Sequence, residues 1–127
     1  MSWNDYRARR EILDTVLERS QLDPSSALDV TGLDVARLYG SADNLLLALE
    51  HRWATQLAAR LDQAIHDGIP ARVAREELSA EMPILRALLD AAGRNSHQLR
   101  NAQRNEQRMV AAHNDVQFNA GLGWAIA

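Results

Sequence analysis

The stretch from Ala42 to Asp67 contains neither Gly nor Pro. Ser41 stands before it as a helix cap, and Gly68 follows as a stop. Its apolar residues recur at helical spacing, which predicts a single helix of 26 residues. At the rise of an α-helix that is about 39 Å, longer than a small domain is wide. A rod of that length has to be the axis along which everything else packs. Leu46, Leu49, Trp53, Leu57, Leu61, Ala64 and Ile65 fall within one stripe and are the expected core, with Thr55, Asp62 and His66 on the opposite face. Glu50 interrupts the stripe, between Leu46 and Trp53. Burial of a lone carboxylate costs on the order of several kcal/mol. The residue should therefore pair with an Arg or a hydroxyl, or stay neutral. The usual exposure of Glu places it at the edge of the stripe, snorkelling or paired.

Shorter helical patterns surround this rod. Trp3 to Arg19 is one, with Trp3, Tyr6, Leu13, Val16 and Leu17 at helical spacing. Two short pieces follow, Pro24 to Asp29 and Gly32 to Tyr39, the second capped by Thr31. After Gly68 the pattern predicts helices over 70–78, 83–92 and 97–118, with Ser79 and Pro83 as a break, Gly93 as a stop and Ser96 as a cap. The tail Asn119 to Ala127 is apolar, but Gly121 and Gly123 argue against a helix of its own. No segment alternates as a strand does. With only six Gly and three Pro in 127 residues the chain is too poor in turns for a β-sandwich. The expected fold is all-α, an orthogonal bundle of six or seven helices in a single domain.

Several kinds of chemistry are excluded or thin. Without cysteine there is no disulfide scaffold, thiolate zinc site or cysteine nucleophile. Phosphate-binding glycine loops, nucleophile elbows and zinc-protease helices are all missing. His51 and His66 are 15 residues apart on one expected helix, roughly 22 Å, too far to share a metal. His97 and His113 have the same problem. No catalytic residue, metal or cofactor is expected, and no enzyme. Asp62 and His66 form an i,i+4 pair that reads as a surface ion pair. The longest apolar run, Leu45 to Leu49, is far too short for a membrane span, and eight charges in the first twenty residues do not suit a signal peptide. A soluble cytoplasmic protein is expected.

Two patches on the last helix remain. Glu106 and His113 share the face of Leu99, Met109, Val110 and Val116, as ligand contacts, as a polar spot in a dimer seam or as satisfied core residues. Arg100, Arg104 and Arg108 line another face, and residues 94–108 carry a local charge of +3. Such a stripe suits phosphates or an acidic partner, or is a solvated helix face.

The segment Val30 to Leu49, VTGLDVARLYGSADNLLLAL, resembles the end of the helix-turn-helix of TetR/AcrR-family transcriptional regulators. Val30-Thr31 stands at the family's turn and recognition-helix cap. Tyr39 falls where an aromatic closes that helix, and Gly40-Ser41 is the step into the linking helix, which Asp43, Leu45, Leu46 and Leu49 open. Ile12-Leu13-Asp14 with Leu17 is similar to the family's first helix, and the run from Pro83 to Leu89 to the middle of its ligand domains. The resemblance implies a regulator with a helix-turn-helix part over 1–41 and a regulatory and dimerisation part over 42–127. Duplex DNA, a small-molecule effector and a second copy are the implied partners. The implied DNA contacts are Thr31, Arg37, Tyr39 and Ser41; Glu50, Glu106 and His113 are the ligand or seam candidates.

Two features depart from that pattern. Only 12 residues separate Leu17 from Val30, which shortens the first helix of the motif. Residues 20–50 carry a net charge of −4, on the segment that should meet phosphate. The alternative is a helical interaction or ligand-binding module that has lost DNA binding. The last helix, with Leu122, Trp124 and Ile126 at or near the seam, is expected to pair with its copy in a homodimer; the alternative is that the tail docks on the helical core of its own chain.

Overall fold

A computed structural model describes residues 2–23 and 28–126, with side chains through Val116. Among the described residues there are six helices and no strand: α1 (Trp3–Leu22), α2 (Val35–Leu38), α3 (Ala42–Asp67), α4 (Ala71–Glu81), α5 (Pro83–Gly93) and α6 (His97–Ile126). The fold is all-α, as expected, and the bounds of the long helix are those read from its caps. Ser41 Oγ accepts from the Asn44 amide at 3.1 Å, and Gly68 turns the chain at φ 71°.

α3 is the axis, and α2, α4, α5 and α6 pack against it. Leu45, Leu46, Leu49, Trp53, Leu57, Leu61 and Ala64 are buried along it, and Ile65 is half-buried. α6 runs beside α3 in the same direction. Asp43 meets Ser96 near their starts, Trp53 meets Glu106 midway, and Asp62 meets His113 further on. Ser96 fixes the start of α6. Its hydroxyl accepts from the Leu99 amide at 3.2 Å and donates to Asp43 at 3.0 Å.

The structure differs from the sequence reading at several points. Trp3 and Tyr6 are not core residues; they are 70% and 55% exposed and stack on each other, while Ile12, Leu13 and Val16 carry the buried face of α1. Helical spacing alone does not tell whether a partner covers the first two turns. The expected helix over 24–29 falls mostly outside the described residues, and Leu28 to Val30 are not helical. The helix expected over 32–39 shrinks to Val35–Leu38. Gly32 is left-handed, at φ 77°, and the Asp29 carboxylate accepts from the Thr31 amide at 3.1 Å, so Thr31 lies inside a turn from Val30 to Leu33 and caps nothing. Ser79 is no break; α4 ends at Glu81, because Pro83 drives Met82 out of helical geometry, to ψ 56°. The tail, finally, continues α6 to Ile126, while the seam expected of the Leu122, Trp124 and Ile126 side chains lies outside the described residues. An existing helix adds one bond per ordered residue, which outweighs two glycines that would prevent a short helix from nucleating.

Candidate functional site

Glu50 and Glu106 lie in the middle of the α3–α6 seam, 4% and 5% exposed. Glu50 is thus inside the core stripe, not at its edge, contrary to the expectation. Glu106 takes two hydrogen bonds and one further ion pair, from three helices, on one oxygen, Oε1. Trp53 Nε1 of α3 donates at 2.8 Å, Arg75 Nε of α4 donates at 3.1 Å, and Arg86 Nη1 of α5 lies at 3.7 Å. The guanidinium carbons of Arg86 and Arg75 stand 4.7 and 5.8 Å from the centre of the Trp53 ring. Arg86 also binds the exposed Asp90 carboxylate, through Nε at 3.0 Å and Nη2 at 2.8 Å. Its Nη1 is buried with no hydrogen-bond partner among the described residues.

Glu50 has no such arrangement. Both its carboxyl oxygens are buried, and neither has a hydrogen-bond partner among the described residues. Burial and the adjoining Glu106 carboxylate push its acid up to about 8, against the smaller opposing pull of Arg86 and Arg75. Near neutral pH Glu50 therefore keeps its proton. The two acids border a groove of about 340 Å³ between α3 and α6, with Leu47, His51, Ala54, Ala102, Asn105 and Met109 completing its walls. Neither arginine lines it; they reach Glu106 from the side of α4 and α5.

His113 is half-buried and stands apart from this groove. Its Nδ1 lies 2.9 Å from the Met109 carbonyl and its Nε2 lies 2.9 Å from Asp62 Oδ1. With acceptors at both nitrogens the ring is favoured as the cation, and the hydrogen bond to Asp62 raises its pKa above the ordinary imidazole value. The expected Asp62–His66 pair is therefore replaced by a contact across helices. Leu99 is buried on the same α6 face, Met109 and Val110 are half-buried, and Val116 is 52% exposed.

The residues read as DNA contacts are occupied within the fold. Tyr39 is buried and its hydroxyl donates to the Arg9 carbonyl at 2.9 Å, while Arg9 Nε donates to the Leu38 carbonyl at 2.7 Å. Ser41 caps α3. Arg37 is exposed but is held by Asp34 and, at 3.0 Å, by Asp5. Thr31 is exposed, and its carbonyl accepts from Arg19 at 2.8 Å. On the basic face, Arg100 Nη1 donates to the carbonyls of Gly93 and Arg94 at the end of α5, and Arg108 donates to Asn105. Arg104 is exposed.

Arg75 and Arg86 were not among the residues singled out by sequence. The available signal was Arg86 itself, a charge on the face of α5 that also carries Leu85 and Leu89. Compared with protein-family models, curated proteins and solved structures, the chain matches none.

Proposed function

We propose that the chain is a non-enzymatic helical module of regulator type that binds a small ligand in the α3–α6 groove. One observation carries this reading: Glu50, a buried carboxyl without a hydrogen-bond partner among the described residues, lies at the border of a cavity with mostly apolar walls. Apolar walls with a few convergent polar groups of shifted pKa are the usual make-up of a ligand pocket. The TetR-like sequence pattern supports a regulator, as a homodimer paired along α6, where Val116 is exposed. The electrostatics around α2 speak against strong duplex binding by that part. A helix of four residues, with its arginine held by two carboxylates, has little to offer phosphate.

A small-fragment screen read by amide NMR shifts tests the proposal. Fragments should perturb Leu47, Ala54, Ala102 and Met109 together, and Ala54→Trp, which fills the groove, should abolish the effect. Binding indifferent to Ala54→Trp, or no perturbation there by any fragment, refutes the reading. Random duplex DNA at low salt supplies the second arm. Tight binding that Arg37→Ala abolishes would restore the DNA-binding reading. Sedimentation at tens of micromolar tests the dimer, which a monomeric chain would end.

A further inference from the structure

The charges around Trp53 close on themselves without Glu50. Glu106 and Asp90 balance Arg75 and Arg86 through the contacts described above. An ionised Glu50 would add one unmatched negative charge to a buried site, which a low-dielectric interior does not tolerate. Only something positive at Glu50 restores the balance, and in the free protein that is a proton. Glu50 lines the groove with both carboxyl oxygens still covered, so a larger cation takes the same position once the Glu50 side chain turns towards the groove. Its wall carries two carboxyl groups and no guanidinium, and its remaining surface is largely Leu47, Ala54, Ala102 and Met109. A carboxylate ligand would meet Glu106 as a like charge, with both arginines on the far side. At about 340 Å³ the space is at the small end of ligand pockets.

We infer that the ligand is an organic cation, an alkylammonium whose head replaces the proton on Glu50 and whose chain lies along the apolar wall. This rests on the small-ligand reading above and adds the chemical class. Binding forms no covalent bond. The O–H of Glu50 breaks, the proton leaves to solvent, and the ammonium hydrogens donate to the carboxylate left behind. The groups facing Glu50 are Glu106 of α6, Arg75 of α4 and Arg86 of α5, with His51 of α3 at the rim. Of these, Glu106 favours the incoming cation, and the two arginines oppose it from behind.

The test is calorimetry on the intact chain with hexylammonium, hexanol and hexanoate, in buffers of different ionisation heat. Hexylammonium alone should bind, releasing close to one proton at pH 7. Its affinity should rise about tenfold from pH 6 to pH 7, and about tenfold more by pH 9, as Glu50 gives up its proton near pH 8. Glu50→Gln should lower that affinity at least tenfold in a chain that remains folded by circular dichroism. His51→Asn should leave the pH dependence in place. Binding of hexanol or hexanoate in preference to hexylammonium overturns the cation and leaves the groove a ligand site. Binding of none overturns both readings. A pH dependence that disappears with His51→Asn, or hexylammonium binding unmoved by Glu50→Gln, also refutes the inference.

Discussion

Replacing Glu50 by Gln should stabilise the protein, and only on the alkaline side. The unfolded carboxyl titrates near 4.5, and the folded one near 8. With the folded value raised, the relative stability that Glu50 contributes is fully present below pH 4.5 and is lost as pH climbs towards 8. Each unit of difference is about 1.4 kcal/mol, so at pH 7 the folded chain carries a penalty of about 3 kcal/mol from holding that proton. Gln has the shape of the neutral acid and no proton to hold. Urea unfolding followed by circular dichroism at pH 5, 6, 7 and 8 should show near-equality of the two proteins at pH 5 and a variant more stable by about 2–3 kcal/mol at pH 7. The difference between the proteins, not either curve alone, isolates Glu50 from other titrating groups. A variant destabilised equally at pH 5 and pH 8 would refute the neutral-acid assignment.

Trp53→Phe keeps a buried ring but removes the donor to Glu106, and should cost about 1–3 kcal/mol in urea unfolding; Trp53→Ala should cost about 3–5. His113→Gln should cost less than about 1 kcal/mol at pH 6, since Asp62 is largely exposed. That cost should vanish as pH rises through the raised imidazole value, because the His113 contribution is present only while the ring is charged. Ser96→Ala removes both the cap of α6 and the donor to Asp43, and should lower stability by about 1–2 kcal/mol.

What was legible in the sequence was local. Ser41, Gly68 and a helical stripe are enough to bound α3, because a cap and a left-handed glycine act within one turn. Glu50 stood out for the same reason, as a charge on an apolar stripe. Its neutral state was among the outcomes open to it, but its depth was not, because depth depends on α6 lying over it. The partners of Glu106 are likewise a tertiary fact. Trp53 is 53 positions away, and Arg75 and Arg86 arrive on helices whose mutual placement no periodicity encodes. Trp3 and Tyr6 show the reverse: a helical pattern without a neighbour to bury it. Asp62 illustrates competition, since an i,i+4 imidazole on an open surface loses to one held on a second helix by a backbone carbonyl.

The surroundings of Trp53 also set its light emission apart from that of an indole in water. Its indole has no solvent exposure and its N–H is bound to a carboxylate, with guanidinium groups over the ring. Trp3, in contrast, stands mostly in water. Emission from Trp53 should lie at shorter wavelength than that of Trp3 and resist iodide quenching. Charge movement at Glu50 should shift the Trp53 emission through the local electric field while leaving the Trp3 emission unchanged. With Trp3 and Trp124 replaced by Phe, occupancy of the groove and the protonation state beneath it can be followed by fluorescence without any label.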